Sequence, residues 1–167
     1  MTESRERLVA AAPSTYQDWL DCFARMKEVP LSGNGEFELL ALGSFTGAGR
    51  MQAALERQMA DTIHTVLNKS VKRFVRDLNE CIVFNELAQI DALFKRFKRD
   101  VNKTTFFLAL PCLSDDFKAE LYQSISGQMT DFWEDTICFL QQQSMEYANS
   151  DLEDALFLIR RIKLFSL

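Results

Sequence analysis

The 167 residues of this chain predict an all-α fold, an antiparallel helical bundle of about five helices with one long central helix. Three observations carry that expectation. Apolar side chains recur every three to four residues along most of the chain, the spacing that forms one face of an α-helix. Glycine and proline number only 6 and 3, and all but Gly127 fall outside or at the ends of the periodic stretches, where a strand-rich fold would need many more turns. One periodic run, from about residue 50 to 79, has no breaker and describes a rod roughly 45 Å long. A chain of this length fits one core. Residues 1–167 are therefore expected as a single helical-bundle domain, with 1–13 a flexible tail and 30–49 a glycine-containing interhelical loop.

The elements follow in order. In "PSTYQDWLDCFARMKEVP", Ser14 and Gln17 read as a capping box, Tyr16, Trp19, Leu20, Phe23 and Met26 form an apolar face, and Pro30 closes the helix. Five of the six glycines then fall between 30 and 49, around an apolar island from Phe37 to Leu42 that is expected as a short helical turn or a packed plug. The long helix carries the apolar set Met51, Leu55, Met59, Ile63, Leu67, Val71, Phe74 and Leu78, recurring mostly every fourth residue. Its successor carries Val83, Leu87, Ile90, Phe94, Phe97 and Val101, spaced by four and three in turn as in a seam along another helix.

The stretch "TTFFLALPCL", residues 104–113, is apolar all round and must be covered by neighbours or by a partner. Ser114, followed by Asp115 and Asp116, opens a helix whose inner face is Phe117, Leu121, Ile125, Met129, Phe132, Thr136 and Leu140 and which runs to about Tyr147. Ser150 with Glu153 reads as a second capping box. It starts a last helix on Leu152, Leu156, Ile159 and Ile162, with Arg160, Arg161 and Lys163 at its C-terminal end.

Composition narrows the function classes. A formal charge of −5 and a pI near 5.0 argue against a surface built wholly to coat nucleic acid or anionic lipid. Residues 68–103 nevertheless hold nine Lys/Arg against five Asp/Glu, leaving that segment +4 and the remainder −9. No apolar run approaches the roughly 20 residues of a membrane span, and the start of the chain has no signal-peptide pattern. A cytoplasmic protein without membrane contact is expected. Cys22, Cys81, Cys112 and Cys138 stand far apart with no C-x-x-C, and read as reduced core thiols rather than zinc ligands.

Chemistry is sparse. The glycines of "GSFTGAGRM", residues 43–51, precede a helix, where backbone N–H groups can hold an anion. Their spacing is not that of a phosphate-binding loop, and Arg50 and Met51 stand where Lys and Ser/Thr would be needed. Asp61 and His64 are the nearest approach to the Glu-x-x-His of a di-iron bundle, but His64 is the only histidine, so the second such motif is missing. The pair reads as neighbours one helical turn apart. No catalytic, cofactor-binding or metal-binding residue is assigned, and no cofactor is expected.

Two surfaces remain. Lys69, Lys72, Arg73 and Arg76 cover roughly a third of one helix circumference, and Lys95, Arg96, Arg99 and Lys103 lie away from the core residues of the next helix. Asp77 and Glu80 follow Arg73 and Arg76 by four residues and partly neutralise the first stripe. The second surface is the apolar set Phe106, Phe107, Leu108 and Leu110, a candidate interface. The sequence thus points to a non-enzymatic interaction or regulatory protein that self-associates or binds an acidic protein surface. An alternative is a nucleic-acid-associated regulator using the basic faces at 69–76 and 95–103, and a third is a phosphate- or nucleotide-binding enzyme using the 43–51 loop.

Overall fold

A computed structural model describes residues 11–29 and 34–165 of the chain. Among these residues the fold is all-α, with six α-helices and no strand. The helices are α1 (Tyr16–Glu28), α2 (Asn34–Ala41), α3 (Arg50–Val83), α4 (Ile90–Thr104), α5 (Asp115–Tyr147) and α6 (Ser150–Ile159), with short 3₁₀ turns at Leu87–Gln89 and Thr105–Ala109. The long helix expected from the uninterrupted periodicity is α3. By their contacts the described residues form two compact units interleaved in sequence: unit 1 comprises described residues up to 66 and 104–121, and unit 2 comprises 67–103 and 122–165.

In unit 1, α1 starts one residue later than Ser14 and Gln17 imply. Thr15 is the N-cap; its hydroxyl accepts from the Asp18 N–H at 3.2 Å, and the Asp18 carboxylate accepts from the Thr15 N–H at 2.9 Å and the Ser14 N–H at 3.1 Å. Asp at the third helical position serves the capping box as Glu or Gln would, and the Ser14 and Thr15 N–H groups hold its carboxyl below the ordinary value. The predicted stop at Pro30 and most of the predicted tail lie outside the described residues. Pro13, placed in that tail by the sequence, is buried, and its carbonyl accepts from the Ser44 N–H at 2.9 Å.

Trp19 is fully buried and donates from Nε1 to the Ser44 carbonyl at 3.1 Å. Gly43 lets the chain approach the indole: a Cβ there would stand 2.6 Å from Trp19 Cζ2. The apolar island becomes α2, which buries Leu40 and sets Phe37 against Phe106 with ring centroids 5.7 Å apart. An ion pair from Lys27 to Asp61 ties α1 to α3. The start of α5 is anchored to α3 by Glu56, whose carboxylate accepts from the Ser114 N–H at 2.9 Å and the Ser114 hydroxyl at 2.7 Å.

In unit 2, α3 and α4 run antiparallel with Arg73 beside Asp100 and Asp77 beside Arg96. α3 stops at Val83 because Asn85 takes a left-handed conformation (φ 56°), and the Glu86 N–H returns to the Cys81 carbonyl at 2.8 Å. Leu87, Ile90, Phe94, Phe97 and Val101 are buried as the spacing predicts, but Val83, at the helix end, is exposed. The core is aromatic. Phe74 meets Phe94 and Phe97 at centroid distances of 5.0 and 4.6 Å, and Trp133 meets Phe94 at 4.8 Å, arrangements that add to the area they bury.

A second left-handed residue, Ala148 (φ 47°), ends α5, and Asn149 caps α6 by accepting from the Leu152 N–H at 3.2 Å. The cap is therefore one residue earlier than Ser150. α6 buries Leu152, Ala155, Leu156 and Ile159 and lies against the Leu87–Gln89 turn. Asn102 of α4 donates to the Leu164 carbonyl at 2.7 Å and fixes the chain beyond α6.

Candidate functional site: two surfaces of unit 2

The α3–α4 pair brings part of each basic stripe to a common seam, and carboxylates fill that seam. Asp77 accepts from Arg76 Nη2 at 2.8 Å and also pairs with Arg96 across the helices; Arg73 stands 3.9 Å from Asp100, Arg76 stands 3.9 Å from Glu80, and Lys95 is held 2.8 Å from Asp91. Burial alone would raise the Asp77 carboxyl, but the Arg76 and Arg96 guanidinium groups more than offset it and hold Asp77 below the ordinary range.

Lys69 is exposed. Lys72, Arg99 and Lys103 are exposed and have no ion pair among the described residues. Of the eight cations chosen from sequence, Arg73, Arg76, Lys95 and Arg96 thus have carboxylate partners among the described residues. Sequence spacing supplied Asp77 for Arg73, whereas the helix pairing gives Asp77 to Arg76 and Arg96 and gives Arg73 to Asp100.

The apolar set at 106–110 does not form one exposed patch. Phe107 and Leu110 are core residues, almost fully buried, Phe106 is half-buried against Phe37, and only Leu108 is exposed. The stretch is covered chiefly because its 3₁₀ turn buries Phe107 and because α2, formed by the apolar island expected as a short helical turn or plug, sets Phe37 against Phe106.

Other sequence candidates have structural partners. Gly43 packs on Trp19, and Gly49 takes a left-handed conformation (φ 60°) just before α3. The Gly43 and Ser44 N–H groups are bonded to the carbonyls of Leu40 and Pro13 at 3.0 and 2.9 Å. Asp61 pairs with Lys27 across the helices. Three cysteines are buried as expected; Cys138 is exposed on α5, which corrects its reading as a core thiol. Among the described residues no three His, Cys, Asp or Glu side chains group in a way that could hold a metal ion, and no helix is long and apolar enough to cross a membrane.

Sequence reasoning missed the apolar surface at the end of α5 and on α6. Met145 is 75% exposed, Tyr147 68%, Phe157 63% and Leu158 48%. A groove of about 290 Å³ runs between the end of α5, with Gln141, Ser144 and Met145, and α6, with Glu153, Leu156, Phe157 and Arg160. Arg160 spans it, donating to the Gln141 side chain at 2.8 Å, and the Arg161 guanidinium sits 5.2 Å from the Phe157 ring centroid. On the other flank of α6 a wider depression of about 510 Å³ is lined by Glu86, Asp91, Asp151 and Asp154 over Leu87, Ala155 and Leu158. The one sequence signal was the adjacent pair Phe157–Leu158: with Leu152, Leu156 and Ile159 already facing inward, those two must lie on the outer side of a single helix.

Comparison with protein-family models, with curated proteins and with solved structures finds no match to this chain.

Proposed function

We propose that this protein works by protein–protein contact rather than by catalysis, and that one of its partners is a copy of itself. The observation that carries the reading is that two large apolar side chains, Met145 of α5 and Phe157 of α6, 75% and 63% exposed, line one groove. Large apolar side chains spaced singly over a surface need no explanation, whereas exposed ones that line the same groove from two helices mark an interaction site. Burying such a set on a partner removes apolar area from water at roughly 25 cal/mol per Å². Polar and charged side chains, Gln141, Glu153 and Arg160, rim the same groove, the arrangement of an apolar centre within a polar border typical of interfaces.

Light scattering tests this reading. A mass above the 19.2 kDa of one chain, persisting in high salt, is expected; a strict monomer at micromolar concentration overturns it.

A second reading is favoured by Lys72, Arg99 and Lys103, which have no ion pair among the described residues and stand on the paired helices α3 and α4. Such cations would contact a phosphate backbone without regard to sequence, and the affinity would fall steeply with salt. Binding of an oligonucleotide at low salt that is lost on replacing all three with Glu is the outcome this reading requires; no binding by the unaltered protein removes it.

A further inference from the structure

We propose that the groove between α5 and α6 receives α6 of a second copy of this chain, in an antiparallel pair related by a two-fold axis. This rests on the self-association proposed above and specifies its surface. Glu153, Phe157 and Arg160 all line the groove. At 100° per residue they fall within roughly 60° of one another on α6, so they form one stripe with an acid at one end, an aromatic ring near the centre and a base at the other. Neither Glu153 nor Arg160 has an ion pair among the described residues.

A stripe with this order complements itself when reversed. A two-fold axis placed between residues 156 and 157 sets Glu153 against the partner's Arg160 and Arg160 against the partner's Glu153. The two Phe157 rings meet at the axis, between two identical ion pairs. This is the condition for an isologous interface, in which each surface supplies both halves of every contact.

A parallel pairing would set like charges together and is disfavoured. Gln141 holds Arg160 through one Nη2 donor at 2.8 Å, which leaves further donors of the guanidinium for the opposing carboxylate. Met145, at 75% exposure on the α5 side of the groove, gives the incoming helix an apolar and adaptable wall. The short α6, ten residues long, therefore gains contact area from α5 as well as from its twin.

The wide acidic depression on the other flank of α6 is not used by this pairing. Its four carboxylates, Glu86, Asp91, Asp151 and Asp154, belong to the opposite side of the helix.

Charge reversal tests the geometry by sedimentation across the micromolar range. Glu153→Arg and Arg160→Glu, each alone, should weaken the dimer about tenfold or more, because each places like charges at both ends of the stripe. The double variant Glu153→Arg/Arg160→Glu should restore it, and an equimolar mixture of the two single variants should form a mixed dimer, since each then supplies the charge the other lacks. Phe157→Asp should give a monomer with an unchanged helical circular dichroism spectrum, the ring being on the surface.

An unaltered protein that is dimeric, with a dimer indifferent to all of these substitutions, overturns this interface while leaving self-association through another surface. A protein that is monomeric before any substitution overturns both. Loss of the dimer in the single variants without recovery in the double variant also overturns the antiparallel arrangement.

Discussion

Asp77 of α3 and Arg96 of α4 form an ion pair across two antiparallel helices, and the same carboxylate accepts from Arg76 at 2.8 Å. One acid thus serves two bases, with its side chain largely covered. The pairing fixes the register of α4 on α3, together with Arg73 beside Asp100. It also explains why a segment with a charge of +4 does not present an uninterrupted cationic face.

Replacing Asp77 with Asn should lower stability by about 1 kcal/mol at neutral pH, a value at the upper end for exposed pairs because two partners are lost. The pH dependence gives the sign. The folded-state pKa of Asp77 lies below the ordinary value, so its contribution is present above the unfolded-state pKa of about 3.9 and disappears as the pH falls through the folded-state value. Urea titrations should therefore show the variant and the parent separated at pH 7 and converging below about pH 4. A gap of constant size down to pH 2 would contradict the assignment.

Ala148 takes a left-handed conformation at φ 47°, which an L-residue with a Cβ adopts at a cost of about 1 kcal/mol. Ala148→Gly removes the steric part of that cost while preserving the return bond from the Asn149 N–H to the Ser144 carbonyl at 3.2 Å. A gain of up to about 0.5 kcal/mol is expected in denaturant unfolding, after subtracting the roughly 0.4–1 kcal/mol for the added freedom of glycine in the unfolded chain. A loss of stability would mean that the corner between α5 and α6 has another conformation.

Gly43 is predicted to tolerate no side chain. Alanine there would place Cβ 2.6 Å from Trp19 Cζ2 and 3.0 Å from both Pro13 Cγ and the Leu40 carbonyl oxygen. Because the indole is fully buried and bonded to Ser44, relief requires moving packed groups, and a loss of about 1–3 kcal/mol is expected. Thermal unfolding measures it. A melting curve superimposable on the parent would show that the contact relaxes freely.

The four thiols should separate cleanly by reactivity. Burial pushes the Cys112 thiol up to about 11 and also raises those of Cys22 and Cys81. Cys138 alone is exposed among the four. Since the thiolate is the nucleophile, a maleimide should add once to the native chain and four times to the denatured chain, as read by mass spectrometry. Cys138→Ser should abolish the native addition, and rapid labelling at Cys112 would contradict its burial.

Helical periodicity made most of the fold legible. The spacing of Ile90, Phe94, Phe97 and Val101 identified the buried face of α4 because local geometry alone determines which side chains share a face. Caps were displaced by one residue where two suitable side chains are adjacent: Ser14 beside Thr15, and Asn149 beside Ser150. Trp133 was missed beside Phe132 because neighbouring aromatics are indistinguishable until the phase of the helix is known.

The surfaces were less legible because they depend on which helix faces which. Nothing local pairs Arg96 with Asp77, 19 residues away; the antiparallel register does. Likewise Phe107 and Phe106 differ in exposure because of the 3₁₀ turn and the cover supplied by α2, neither of which follows from an apolar run. Tyr147 and Met145 continued an apparently helical pattern, but the inner face of α5 had already passed to Leu140 and Ser144.

Trp19 is a core residue of unit 1 and Trp133 of unit 2, and the chain has no other tryptophan. Each half of the polypeptide therefore carries its own optical reporter. Replacing either indole with phenylalanine leaves an emission signal that follows the other half alone, and a red shift on denaturation tells whether the two melt in one cooperative step or in sequence.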